Sequence, residues 1–185
     1  MRRPFQALCT LLLAGLCVAG RALAQDPPLQ FTRTVTVPLA KAQVSGLVRA
    51  AWDNSFGLDP GARLTAADER TGSFLGGAHF AFRPTQLTGR EQASGNIRYQ
   101  VTVQAENGSC LVRVTGVVHA GNSAAKGGPI DLGPLREREP EDLRIAGLSR
   151  KAANDLHRDA REAATARIEQ LMARFESTLR DRAAP

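Results

Sequence analysis

Leu29, Phe31, Val35 and Val37 alternate with Gln30, Thr32, Thr34 and Thr36, the two-residue period of a half-buried strand rich in β-branched side chains. Arg33 falls on the apolar side, so either the strand bulges there or that end is open to solvent. Pro38 ends the ladder. The period then changes. Val44, Leu47, Val48, Ala51 and Trp52 recur at three- and four-residue steps, one apolar stripe of a helix over about residues 40–54. Trp52, the only tryptophan, sits on that stripe and is expected in the core. Gly57 and then Asp59-Pro60-Gly61 end the helix with strong turn chemistry.

Four strand-like runs follow. Arg63 to Asp68 is short and weak, and Glu69-Arg70-Thr71-Gly72 supplies a turn. Ser73 to Phe82 sets Phe74, Phe80 and Phe82 on one face, and Gly76-Gly77 inside it predicts a bulge or a helix packed very close. After a polar loop, Ile97, Tyr99, Val101 and Val103 alternate with Arg98, Gln100, Thr102 and Gln104, the cleanest strand in the chain. Asn107-Gly108 is a hairpin signal, and Cys110 to His119 returns as the partner strand.

Residues 121–141 carry Gly127-Gly128-Pro129, Gly133-Pro134 and Pro140 and read as a surface loop. Ser149 then caps a long helix whose stripe runs through Ala153, Leu156, Ala160, Ala164, Ile168, Leu171, Met172, Phe175 and Leu179. A helix from Ser149 to about Arg180 is roughly 45–50 Å long. The order β-α-β-β-β-β-α predicts an α+β fold, a five-stranded antiparallel sheet with helices on one face. The other face would show Thr32, Thr34, Thr36, Arg98, Gln100, Thr102, Gln104, Arg113 and Thr115.

The start of the chain carries an address. Arg2 and Arg3 precede an apolar run from Ala7 to Ala19, and Ala22-Leu23-Ala24 places small residues at the −3 and −1 positions. Residues 1–24 are therefore expected to be a cleaved secretory signal, and the run is shorter than the ~20 residues of a membrane span. Neither Cys9 nor Cys17 follows a small residue, as a lipoprotein signal requires. Residues 25–28 read as a flexible start, 29–120 as the β-α-β4 core and 142–182 as the C-terminal helical segment of the same domain. Loss of Arg2, Arg3 and Arg21 with the signal leaves 21 basic against 18 acidic side chains. A net charge of +3 is too mild for a nucleic-acid binder. The mature chain keeps one cysteine, Cys110, which alternates with Val112 and Val114 and is expected to be a small buried apolar residue.

The chain resembles an exported bacterial domain of unknown function described as having a TBP-like fold. The resemblance rests on the Phe31-Thr32-Arg33-Thr34-Val35 strand, a helix ending near Trp52 and the Asp68-Glu69-Arg70-Thr71-Gly72-Ser73 turn. It continues in Gly95-Asn96-Ile97-Arg98-Tyr99 and in the Gly108 to Val114 return strand, and covers about Leu29 to Ala120. It implies a β-α-β4-α architecture and an exported location, and no activity. The fold name invites a nucleic-acid guess, but export, small charge and the missing aromatic platform argue against it.

Enzymatic schemes find little support. His79 and His119 are out of phase with their apolar neighbours, which puts both on the polar sheet face about 10 Å apart, too far to share one zinc. His157 falls on the solvated side of the long helix. Cys110 and His119 lie about 30 Å apart along one strand and cannot meet. No nucleophile elbow, phosphate loop or metal spacing is present. Asn107-Gly108-Ser109 matches a glycosylation acceptor, but hairpin geometry explains it as well.

The expectation is an exported, non-enzymatic binding or assembly module of the bacterial envelope, without cofactor or metal. It would meet an envelope protein or a second copy of itself through the polar sheet face, with Arg98, Gln100, Thr102, Arg113 and Thr115 as candidate contacts. A periplasmic small-ligand carrier is the alternative, and a hydrolase with a site formed only in three dimensions the lesser one. A deep apolar pocket between helix and sheet would favour the carrier; a filled core would favour the module.

Overall fold

Alternating β-branched and polar residues form strand β1, Phe31–Thr36, and the three- and four-residue stripe forms helix α1, Lys41–Asp53. The computed structural model describes residues 26–184 apart from 88, 141 and 142, so the segment read as a signal lies outside the described residues. Strands β2 (Arg63–Asp68), β3 (Ser73–Phe82), β4 (Gly95–Glu106) and β5 (Ser109–Gly121) follow, then a two-residue β6 (Gly133–Pro134) and helix α2 (Arg150–Ala183). Every pairing is antiparallel, in the order β1-β5-β4-β3-β2. β6 takes the length of β5 that β1 leaves free.

The expected turn residues act where their chemistry requires. Gly108, at φ +77°, completes the two-residue turn between β4 and β5. The Asn107 side chain accepts a 2.9 Å hydrogen bond from the Lys41 amide and so caps α1, whose own N-cap residue is alanine. Ser149 caps α2 by accepting from the Ala152 amide.

Both helices cover one face of the sheet. Val44, Val48, Ala51 and Trp52 of α1 and Leu156, Ile168, Leu171, Phe175 and Leu179 of α2 are buried with Val35, Phe74, Ile97, Val101, Val103, Val112 and Val114 of the strands. Each such large side chain contributes about 1.5–3 kcal/mol on burial, an upper estimate. The partly exposed ion pairs of α2 contribute about 0–1 kcal/mol each, so packing holds the helix and the ion pairs trim its position. Cys110 is buried, and burial pushes its thiol up to about 12.

Of the two readings of Gly76-Gly77, the closely packed helix is the one met within the strand, whose register with β4 is regular there. A Cβ on Gly76 would stand 2.4 Å from the Trp52 ring, so the helix does pack very close. The register slips instead between Leu64 and Ala66 on the adjoining strand, so a bulge lies beside it.

Three expectations are overturned. His119 is not on the polar face but fully buried, packed edge-on against Phe82 at 5.2 Å. The cause is a second bulge: Arg98 pairs with Val118 and Gln100 with Thr115, so Gly116 and Val117 together oppose Tyr99. Gly116 holds φ +61°, and every later residue of β5 changes face. His157 is not on the solvated side of α2 but buried beneath the segment 130–136, with its Nε2 accepting from the Arg136 amide at 3.3 Å. Arg33 needs neither a bulge nor open solvent. The β1 register is regular, and its guanidinium reaches under α2 to pair with Glu169 and Glu176.

The segment 121–141 contributes to the core as well as the surface. Ile130 and Leu135 are buried, the Leu135 amide donates to the Val117 carbonyl, and the Leu29 amide donates to the Leu135 carbonyl. The start of the chain is tied to it, since Pro28 bridges Arg136 and the Arg136 guanidinium donates to the Asp26 carbonyl.

Candidate functional site

With the helices packed on one face, the opposite face of β2–β5 is left to its own side chains. Strand parity puts Arg98, Gln100 and Thr102 of β4 outward, and all three are exposed. Arg113 is exposed and Thr115 half-exposed on β5. The register sets Thr102 opposite Arg113 and Gln100 opposite Thr115, so the five candidate residues come together on one surface. The expectation of His79 on this face also holds: it stands opposite Arg98, half-buried. Its imidazole lies over Gly61, where a Cβ would come within 2.7 Å of the ring.

The register resolves this surface into three rows running across the strands. Val118, Arg98 and His79 form one ridge. Arg113, Thr102 and Leu75 form another, and Leu75 is 40 % exposed. Between them runs the row of Thr115, Gln100, Gly77 and Arg63, in which Gly77 has no side chain to fill its place. The bulge at Gly116 removes another side chain beside Gln100. The result is an open depression of about 500 Å³, bordered by Arg63, Leu75, His79, Arg98 and Val118. No carboxylate lines it. Among the described residues no acidic side chain pairs with Arg63, Arg98 or Arg113, whereas Arg33, Arg70, Arg158, Arg167 and Arg180 each hold at least one.

The pattern of the sequence points to Arg98, Gln100, Thr102, Arg113 and Thr115, but not to Arg63 or the glycine floor. Arg63 belongs to a six-residue edge strand with weak alternation. The signal in Gly77 was its place in the pair Gly76-Gly77: one glycine faces the helix and the next faces outward.

A buried polar cluster lies on the other side of the sheet. Asp59, with its side chain 1 % exposed, accepts from the Tyr99 hydroxyl at 2.7 Å and from the Arg167 guanidinium, whose Nε is 3.0 Å away. Arg167 also donates to Gln170 at 2.8 Å. Burial, followed by the hydrogen bond to Asp59, drives the Tyr99 hydroxyl well above its ordinary value. A phenol held protonated and a carboxylate with both oxygens engaged suit a structural tie better than proton transfer. Among the described residues no three His, Cys, Asp or Glu side chains come together as a metal centre. No helix among them is long and apolar enough to cross a membrane.

No family model and no curated protein sequence matches the chain. Solved structures do. A DUF4468 family protein from Bacteroides ovatus superposes with a TM-score of 0.50 at 18 % identity, over 80 % of this chain and 86 % of the other. A TBP-like protein from Parabacteroides distasonis gives 0.53 at 8 % identity, over 80 % of this chain and 93 % of the other. At these identities the likeness is one of fold, and it agrees with the resemblance drawn from the strand and turn motifs. The antiparallel sheet, its two helices on one face and these neighbours together give the chain a TBP-like α+β fold.

Proposed function

We propose that the protein is an exported, non-enzymatic binding or assembly module of the bacterial envelope, acting through the outer face of its sheet. The observation that supports this most is the contrast between the two faces. The inner one is filled by helix side chains, while the outer one presents Arg98, Gln100, Thr102, Arg113 and Thr115 to solvent, two of them arginines without an acidic partner among the described residues. Such a surface recognises a partner by charge and hydrogen bonds, which give specificity and speed of encounter more than raw affinity. Export rests on the charged, apolar and small-residue parts of segment 1–24.

The carrier reading would place a ligand between helices and sheet. That space is occupied by Phe56, Phe74, Ile97, Ile168 and Phe175, all with almost no exposure, which favours the module. Absence of enzymatic activity is part of the proposal and rests on the lack of a hydrogen-bonded nucleophile–base pair among the described residues; Ser123 and Lys126, spaced as Ser-x-x-Lys, are both exposed in a turn. The test is substitution of Arg98 and Arg113 by alanine. Both are exposed, so folding is expected to be spared while capture of the envelope partner falls; unchanged capture would remove the outer face from the account.

A further inference from the structure

The depression on the outer face has chemistry of its own. Its open floor comes from backbone, at Gly77 and at the Gly116 bulge, so an occupant can approach the sheet closely. Around that floor stand Arg63, His79 and Arg98. Arg63 pairs with Gly77, and His79 sits two residues further along the same strand opposite Arg98. Neighbouring strands are ~4.8 Å apart and alternate residues ~6.6 Å, so the imidazole rises about 5 Å from the Arg98 stem and about 8 Å from the Arg63 stem, and the two guanidinium stems stand about 12 Å apart on either side of the floor. None of the three has an acidic partner among the described residues, and no carboxylate lines the cavity. Two forked donors and an imidazole around a shallow, glycine-floored trough match the oxygens of a polyvalent anion, which accepts from several donors at once. Gln100 adds an amide that can donate to the same occupant. A volume of about 500 Å³ admits a small molecule rather than a folded domain.

We propose that the trough between Arg63, His79 and Arg98 is a binding site for a small polyvalent anion bearing phosphate or carboxylate groups. The proposal rests on the outer face being the working surface and specifies what one part of it binds.

Backbone amide shifts of the purified protein are followed while inorganic pyrophosphate is added, and in a second arm citrate. Saturable shifts at Gly77, Gln100 and Gly116 are expected, and the arm with the tighter curve separates a phosphate ligand from a carboxylate one. Arg63→Gln and Arg98→Gln are each expected to weaken binding by about tenfold, the scale of one charged hydrogen bond lost. Arg174→Gln, an exposed arginine of the helix layer, should leave the curve unchanged. No saturable shift in either arm, or equal weakening by all three variants, would overturn the site. Partner capture is read separately: capture that still depends on Arg98 and Arg113 without anion shifts removes the trough and keeps the module.

Discussion

The Tyr99 hydroxyl donates a 2.7 Å hydrogen bond to the carboxylate of Asp59, which also receives Arg167 from the long helix. Three elements distant in sequence, the turn after α1, strand β4 and helix α2, thus meet on one buried acid. A buried carboxylate is costly unless both its oxygens are engaged, and here Tyr99 holds one and the partly exposed Arg167 the other. Arg167→Ala leaves the acid uncompensated and is expected to destabilise by about 3 kcal/mol in urea unfolding. Tyr99→Phe should cost about 1.5–2 kcal/mol, the loss of one hydrogen bond to a charged acceptor. A loss under about 1 kcal/mol for Arg167→Ala would mean that Asp59 rehydrates and the tie is incidental.

His119 and His157 each accept a backbone N–H from the segment 130–136, Leu132 to Nδ1 of the first and Arg136 to Nε2 of the second, both at 3.3 Å. A protonated imidazole cannot accept at either nitrogen, so both bonds need the neutral ring. Burial lowers both pKa values. For His119 the Ala93 backbone and Asp131 oppose the shift. For His157 Arg161 and Arg136 add to it, while Glu139 and Asp26 oppose it. Above the ordinary histidine value of about 6.5 this stabilisation is complete. As pH falls below it, the unfolded chain binds protons that the folded chain refuses, and stability is lost by up to about 1.4 kcal/mol per pH unit for each ring. Denaturation between pH 7 and 5 should show this slope, with earlier hydrogen exchange at the Leu132 and Arg136 amides. His119→Gln and His157→Gln should each flatten it whatever their absolute cost; an unchanged slope would contradict the assignment.

Gly76→Ala puts a methyl group 2.4 Å from the Trp52 ring and 2.8 Å from the Arg63 carbonyl. A backbone neighbour and a ring packed beneath α1 cannot both give way, so a loss of about 1–3 kcal/mol is expected. Thermal melting of the single variant and of Gly76→Ala with Trp52→Phe checks this. The smaller ring should recover part of the loss, and a neutral Gly76→Ala would refute the close approach.

Cys110 should behave as an apolar residue. With no exposure and a thiol pushed up to about 12, it is expected to resist a thiol reagent at pH 8 in the folded protein and react fully in guanidinium. Fast labelling or a disulfide-linked dimer would show that the interior opens.

How much of this was legible depended on whether the determining contacts were local. The period of Leu29 to Val37, the Asn107-Gly108 turn and the Ser149 cap each involve neighbours, and each appears where the pattern put it. His119 was misplaced because parity was carried through a bulge. Gly116 followed by the adjacent Val117 and Val118 breaks strict alternation and was the available clue. Asp59 with Arg167, and Arg33 with Glu169 and Glu176, join residues more than a hundred positions apart, and no periodicity encodes such pairs. β6 is two residues, Gly133–Pro134, too short to carry a period. On the outer face, parity alone placed Arg98 to Thr102, whereas Arg63 joined them only through strand order.

If the outer sheet face is the working surface, a bound partner depends on its arginines. The decisive measurement is native mass spectrometry of the protein isolated gently from its envelope extract, run beside the Arg98→Ala, Arg113→Ala variant. A mass shift from a bound partner or second copy in the parent protein, lost or strongly reduced in the variant, is the predicted result. The same complex in equal proportion for both proteins would contradict it.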